Sequence, residues 1–166
     1  MSDKTNIHTI SLLVANKPGV LMRITLVFSR RGYNIESLVV SPALDGKFSR
    51  MTITAQGNPA ILDQIIKQCA KLIDVIHAEE HIGNNSVEKE LALIKIETTS
   101  DKRTDILQLI EHFKGQTVDF NDNDLIVQVT GTTEKLDAMI NMLKKYGIIE
   151  LVRTGKVLML RGREET

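Results

Sequence analysis

Residues 10–32 read ISLLVANKPGVLMRITLVFSRRG, which is a strand, a turn and a helix in direct succession. Apolar residues alternate over 10–14, a pattern typical of a strand with a buried face. Pro18 and Gly19 end that strand, and the apolar residues beyond them recur at helical spacing as far as Gly32. Because glycine suits the C-terminal cap of a helix, we predict a strand–turn–helix unit that ends there.

Two further strands, a second helix and a fourth strand are predicted in the rest of the first half. The strands cover residues 34–41, 50–56 and 75–82, and the helix starts at an Asn58 N-cap followed by Pro59. Apolar and polar side chains alternate in the 50–56 strand, so the helices are predicted to cover one face of the sheet and to leave the other open. This β-α-β-β-α-β order is the ferredoxin-like arrangement.

The same order of elements begins again after a polar segment of turn residues, Gly83 to Ser86. Strands are predicted over 91–98, 116–120, 125–130, 148–153 and 156–160, with helices after Ser100 or Asp101 and before Gly147. We therefore predict an α+β chain of two tandem ferredoxin-like βαββαβ domains. The first domain covers residues 5–83, the linker 84–90 and the second domain 91–166.

The charge balance and the short apolar runs exclude two classes of partner. Lys plus Arg and Asp plus Glu both number 21, so the chain has no basic excess with which to neutralise nucleic-acid phosphates. No apolar run approaches the roughly 18 residues of a membrane-spanning helix. The single cysteine, Cys69, fits a reducing compartment. We predict a cytoplasmic protein that binds neither nucleic acid nor membranes.

The sequence lacks the motifs of catalysis and of metal binding. It contains no P-loop, no Gly-x-Gly-x-x-Gly fingerprint and no Gly-x-Ser-x-Gly elbow. His77 and His81 lie four residues apart on a predicted strand, where that spacing separates them by roughly 13 Å, too far for one metal ion. We predict no catalytic residue and no metal site in this chain.

The turn over residues 16–21 has the clearest binding chemistry in the chain. Gly19 lets a ligand approach the backbone, and the N–H groups of Val20 and Leu21 open a helix and suit a carboxylate. Asn16 offers a donor and an acceptor to the charged head group of an amino acid. A plain turn before a helix explains the same residues, and local chemistry alone favours that interpretation.

Three stretches resemble the N-terminal ACT domain of the acetolactate synthase small subunit. They are NKPGVL at 16–21, FSRRGYNIESL at 28–38 and SRMTI at 49–53. Shorter matches such as LIDV at 72–75 and KLDA at 135–138 extend the resemblance over nearly the whole chain. The RGYNIESL block is its most specific part, whereas the Pro-Gly-x-Leu turn alone is a general ACT feature.

The resemblance implies a subunit that is not an enzyme by itself and that activates the large catalytic subunit of acetolactate synthase. It also implies feedback inhibition by valine at the first shared step of isoleucine and valine biosynthesis. Thiamine diphosphate, magnesium and FAD are expected in the catalytic partner, and no cofactor is expected in this chain. The alternative is a stand-alone ACT-type amino-acid sensor, although the chain carries no helix-turn-helix or basic segment.

Matched position by position, the family's valine site falls on six residues of this chain. They are Asn16, Gly19, Val20, Leu21, Asn34 and Ile35. The resemblance further implies a homodimer in which two ACT domains pair edge to edge, with valine between the turn of one and the Asn34 region of the other. From local sequence alone, the favoured interpretation of Asn34 is a structural residue that caps the preceding helix end or turn. The choice among valine, leucine and isoleucine depends on pocket shape, which the sequence leaves open.

Overall fold

The computed structural model describes residues 7–166, which form two compact units. The first unit consists of residues 7–87 and 155–166, and the second consists of residues 88–154. Within residues 7–166, no helix combines the length and the apolar character that a membrane crossing requires.

The first unit is built on a four-stranded antiparallel sheet and two helices. Its elements are β1 (Ile7–Ala15), α1 (Val20–Ser29), β2 (Ile35–Pro42), β3 (Phe48–Gln56), α2 (Pro59–Ala70) and β4 (Val75–His81). The strand order is β2-β3-β1-β4, so β2 and β4 form the edges of this sheet. The predicted βαββαβ order is confirmed for the first half of the chain.

Both helices of the first unit bury an apolar stripe against one face of the sheet. Ile24 and Phe28 of α1, and Leu62 and Ile65 of α2, are at most 1% exposed. These residues are three or four positions apart, which places them on one side of each helix. They pack with Ile53 of β3 in a single apolar cluster, and this cluster fixes both ends of α1 against the sheet.

The strand register determines which ends of the elements lie together. Val14 near the end of β1 and Pro42 at the end of β2 both pair with Ser49 of β3. At the far end of β3, Ala55 pairs with Ile35, the first residue of β2. The turn after β1 therefore lies near the end of β2, and the start of β2 lies at the opposite end of the sheet.

The second unit repeats this arrangement, as the sequence predicts. Its elements are β5 (Ser86–Glu97), α3 (Arg103–His112), β6 (Gln116–Phe120), β7 (Asp124–Gly131), α4 (Thr133–Leu143), a 3₁₀ turn (Lys144–Tyr146) and β8 (Ile148–Arg153). Four strands follow the order β6-β7-β5-β8. Ile94, Val127 and Leu136 belong to its core and are fully buried.

A buried ion pair joins two strands and a helix of the second unit. The Nε atom of Arg153 donates to Oε2 of Glu90 at 2.6 Å, and its Nη1 atom donates to Oδ1 of Asp137 at 2.6 Å. The Glu90 side chain is only 7% exposed, whereas that of Asp137 is 52% exposed. Glu90 also accepts a hydrogen bond from the Thr133 hydroxyl. Arg153 is thus the group that compensates a carboxylate removed from water.

The start of α3 differs from the sequence prediction. Neither Ser100 nor Asp101 caps this helix, which begins at Arg103 with Lys102 in the N-cap position. The N–H groups of Lys102 and Arg103 both donate to the Thr99 carbonyl, at 3.0 and 3.1 Å. A turn therefore precedes the helix, and the predicted capping residues lie within that turn.

Two predicted boundaries also differ from the structure. β5 begins at Ser86, so residues 86–90 of the predicted linker 84–90 are strand. Residues 155–166 group with the first unit, although the sequence placed them in the second domain. They contain β9 (Val157–Leu160), and the N–H of Arg161 donates to the Asn85 carbonyl at 2.9 Å. A strand after a complete βαββαβ repeat carries no local signal of which sheet it joins.

The sheet face opposite the two helices of the first unit is not open. Thr52 and Thr54 are 8% and 5% exposed, although their polar side chains predicted a solvent-facing surface. Residues 155–166 contact this face, where Nζ of Lys156 lies 3.5 Å from Oγ1 of Thr9. The prediction of an open face is wrong, because polar alternation does not reveal whether a distant segment covers the strand.

Candidate functional site

The turn between β1 and α1 bends sharply at Gly19. Its φ of 83° and ψ of −10° lie in the left-handed region, where a Cβ causes strain in other residues. Among residues 7–166, a Cβ placed on Gly19 would meet no heavy atom within 4 Å beyond its chain neighbours, and the residue is exposed. The bend therefore leaves open space beside the first turn of α1.

The first turn of α1 carries backbone donors without a compensating acid. Gly19 is its N-cap, makes no side-chain capping bond, and is followed by a first turn without Asp or Glu. The N–H of Val20 makes a long bond of 3.5 Å to the Lys17 carbonyl. The N–H of Leu21 stands too early in the helix to have an intrahelical acceptor. These donors and the positive end of the helix dipole suit a carboxylate.

Val20 and Leu21 differ in what they can offer a ligand. The Val20 side chain is 3% exposed and packs in the core of the first unit, so only its N–H faces the turn. Leu21 is 37% exposed, so its side chain as well as its N–H is accessible. Any role of Val20 in binding is therefore restricted to its backbone.

Asn16 is held by the hairpin that connects β2 and β3. Its N–H donates to the Lys47 carbonyl at 2.9 Å, and its side-chain Nδ2 donates to the Gly46 carbonyl at 3.0 Å. Asn16 is exposed, and its side-chain oxygen retains acceptor capacity. An ammonium group beside the Gly19 bend could use that oxygen.

Asn34 and Ile35 form a second group, at the start of β2. Asn34 is exposed, and its Nδ2 donates to Oε1 of Glu36 at 3.0 Å. Ile35 is partly buried and packs against the core of the first unit. Both residues line an open depression of about 430 Å³ beside the C-terminal half of α1. Its lining also includes the apolar Phe28 and the polar Ser29.

The two groups of predicted site residues do not meet within one chain. The Gly19 bend lies directly before the first residue of α1, whereas Asn34 follows the last turn of that helix. The helix is 10 residues long, which corresponds to about 15 Å. The structure thus brings Asn16 together with Gly19 and Leu21, and leaves Asn34 and Ile35 at the opposite end of the helix.

Sequence reasoning missed two neighbours of the predicted site residues. One is Glu36, whose carboxylate accepts a hydrogen bond from Asn34. The other is the hairpin tip at Gly46, which holds Asn16 across 30 residues of sequence. The Asp45-Gly46 dipeptide indicates a turn, but no local signal places that turn beside Asn16.

The residues considered for metal binding lie apart from these groups. His77 and His81 are on β4, as predicted, and Nε2 of His81 lies 2.6 Å from Oγ of Ser11. Cys69 is 1% exposed, and burial raises the pKa of its thiol to about 11. Among residues 7–166, no three His, Cys, Asp or Glu side chains converge as metal ligands would.

Comparison with known proteins finds the same relatives for both units. The family described as "AHAS small subunit-like ACT domain" matches residues 10–77, and that described as "Small subunit of acetolactate synthase" matches residues 89–162. A probable acetolactate synthase small subunit of Archaeoglobus fulgidus is 46% identical over 95% of this chain and 99% of its own length. The acetolactate synthase small subunit of Mycolicibacterium smegmatis is 44% identical over 98% of this chain and 95% of its own length.

A solved structure supports the same relationship. The crystal structure of the acetolactate synthase small subunit from Thermotoga maritima superposes with a TM-score of 0.85 and 37% identity. The match covers 96% of this chain and 99% of that one. The first of the two βαββαβ units matches an ACT-domain family model, so this chain is an ACT-domain protein. The chain belongs to the family of acetolactate synthase small subunits.

Proposed function

We propose that this chain activates the catalytic subunit of acetolactate synthase and makes that enzyme sensitive to feedback inhibition by valine. The observation that carries the proposal is the set of uncompensated donors at the Gly19 bend, in a chain of the small-subunit family. A regulatory subunit needs a site that recognises a small end product rather than a substrate in reaction. In this proposal the bend binds the head group of an α-amino acid.

Each part of valine has a complementary group in the two clusters. Its carboxylate would rest on the N–H groups of Val20 and Leu21, where the helix dipole favours negative charge. Its ammonium would bind the side-chain oxygen of Asn16 and an oxygen of the Asn34 group. Its isopropyl group would pack on the accessible side chains of Leu21 and Ile35.

The separation of the two clusters supports a site shared between two copies of the chain. β2 is an edge of its sheet and pairs, within the described residues, with β3 alone. If two β2 strands pair antiparallel about a twofold axis, the Ile35 end of one strand lies beside the Pro42 end of the other. The register places the turn after β1 at that same end. Asn34 of one copy would then complete the Gly19 cluster of its partner.

Valine at this junction would act by stabilising one arrangement of the dimer. A ligand shifts an equilibrium only through its difference in affinity for the two states. A tenfold shift requires about 1.4 kcal/mol, which one charge-assisted hydrogen bond made in only one arrangement can supply. Inhibition follows if the catalytic subunit is less active when bound to the arrangement that valine favours.

The chemistry of the reaction is assigned to the catalytic partner. Thiamine diphosphate, magnesium and FAD would be bound there, and this chain would contribute contacts rather than reacting groups. We place the complex in the cytoplasm, with valine as its small-molecule effector.

Mixing this chain with the large subunit tests the proposal. We expect faster acetolactate formation on mixing, and inhibition of the mixture when valine is added; parallel titrations with leucine and isoleucine establish the preference. Amino-acid binding by the chain without any effect on the large subunit would instead indicate a stand-alone sensor. Acetolactate formation by the chain alone would contradict the proposal outright.

A further inference from the structure

Tyr33 occupies the position directly before Asn34 and fills the space above Gly57. A Cβ built on Gly57 would lie 2.5 Å from both Cε1 and Oη of Tyr33, far inside contact distance. Gly57 does not have a left-handed φ, so its backbone conformation is open to other residues. A side chain at position 57 would displace the far end of the tyrosine ring from the place that it occupies.

Tyr33 is anchored to both helices of the first unit. Its N–H donates to the Phe28 carbonyl in the last turn of α1 at 3.1 Å. Its hydroxyl donates to the Asn58 carbonyl at the start of α2 at 2.5 Å. That carbonyl also accepts the N–H of Leu62 at 3.1 Å, so the hydroxyl is bound to a group that the helix itself holds in place.

The Asn34 side chain is held by few contacts. It is exposed, and its side chain bonds to Glu36, which is also exposed. The position of Asn34 therefore depends on the backbone that Tyr33 ties to α1 and α2. A displacement of about 1 Å is enough to lose the alignment of a hydrogen bond, since the geometry of these bonds is narrow.

We propose that Tyr33 and Gly57 are positioning residues for the Asn34 half of the valine site. This proposal rests on the proposed function and identifies what holds one half of the site in its binding geometry. Neither residue contacts valine in the arrangement described above. They act because the ring of Tyr33, seated on Gly57, sets where Asn34 faces the partner copy.

Gly57→Ala is the direct perturbation, because its methyl group and the Tyr33 ring cannot occupy the same place. Measured by calorimetry on the full-length chain, we expect its valine affinity to fall at least tenfold. Tyr33→Phe keeps the ring and loses the bond to Asn58, so its affinity should fall less, by about threefold. The matched control is Gly115→Ala in the second unit, where a Cβ would lie 3.2 Å from Ile110. This control should lower stability and leave valine affinity unchanged.

A double-mutant cycle separates positioning from general damage. In a Tyr33→Ala background the ring is absent, so adding Gly57→Ala should cause no further loss of valine affinity. An equal loss in both backgrounds, or wild-type affinity of Gly57→Ala, would overturn the proposal. If Gly57→Ala fails to fold, the valine affinity of Tyr33→Phe, measured by the same calorimetry, tests the proposal instead. An affinity equal to that of the wild type would contradict it.

Gly19→Asp, run in parallel, distinguishes this proposal from the proposed function. If Gly19→Asp binds valine as the wild type does, the proposed effector site is wrong. If Gly19→Asp loses binding while Gly57→Ala keeps it, only the positioning role of Tyr33 and Gly57 is refuted.

Discussion

Substitutions at Gly19 separate backbone strain from ligand recognition, because the space around this residue is open. A Cβ here lies more than 4 Å from every heavy atom of residues 7–166 other than its chain neighbours, so the cost to folding comes from the left-handed φ of 83°. That cost is about 1–2 kcal/mol for an ordinary L-residue and smaller for Asn or Asp. Strain of this kind is present with and without ligand, so it cancels from the affinity. Gly19→Ala should therefore bind valine within about threefold of wild type.

Gly19→Asp adds two effects that do depend on the ligand. Its carboxylate would lie about 5 Å from that of valine, and at an effective dielectric constant between 20 and 80 the repulsion is about 1–3 kcal/mol. Its oxygens can also accept hydrogen bonds from the first N–H groups of α1. Those N–H groups would then no longer be available to the carboxylate of valine. The charge alone predicts a loss of about 5- to 150-fold in affinity. Gly19→Asn has the same shape without the charge, so its affinity should fall between those of the Ala and Asp variants.

Calorimetric titration with valine at two salt concentrations measures these differences. The affinity gap between the Asp and Asn variants should narrow at high salt, because salt screens the repulsion between exposed charges. Activation of the catalytic subunit should persist in all three variants, since Gly19 is assigned to effector binding. Equal affinities for the Asp and Ala variants would refute the assignment of valine's carboxylate to this bend.

Three further predictions concern the stability of the fold and its dependence on pH. Arg153→Met should lower the free energy of unfolding in urea by about 3–5 kcal/mol, because Glu90 is left buried without its partner; the exposed Asp137→Asn should cost less than about 1 kcal/mol. Asn58→Ala should cost about 1 kcal/mol in the same assay through loss of the α2 cap, and an unchanged midpoint would show that the cap is dispensable. Burial raises the pKa of the Cys69 thiol from 9.0 to about 11, so the unfolded chain loses this proton first. The contribution of Cys69 to stability should be complete below pH 9 and lost between pH 9 and about 11, a decline that Cys69→Ala should not show.

The sequence predicts those parts of the fold in which local residue patterns are enough to determine the structure. The alternation over residues 50–56 corresponds to β3, and the N-cap predicted at Asn58 is present, with its side-chain oxygen accepting from Ala60 at 2.9 Å. Residues 155–166 group with the first unit and not with the second domain that the sequence predicts, because the contacts that place them are remote in sequence. Lys156 reaches Thr9 across 147 positions, and no local preference encodes such a contact.

The candidate site was likewise predictable from the sequence only in part. The left-handed bend at Gly19 follows from a Pro-Gly pair before a helix, and the structure has that bend. The distance between the Gly19 and Asn34 groups did not follow from local pattern, since it depends on the length of α1 and on the sheet register. The tyrosine next to Asn34 was part of the motif RGYNIESL, but its dependence on Gly57 required coordinates, because the two residues meet only in the folded unit.

Mixed dimers test most directly whether the site is shared between two copies. Gly19→Asp and Asn34→His should each bind valine with lower affinity than the wild type as homodimers. A heterodimer of the two variants has one site with both wild-type halves and one with both altered halves, so calorimetry of the purified heterodimer should show one valine bound per dimer. If the heterodimer binds no valine, although wild-type dimers do, the two groups do not form a site across two copies.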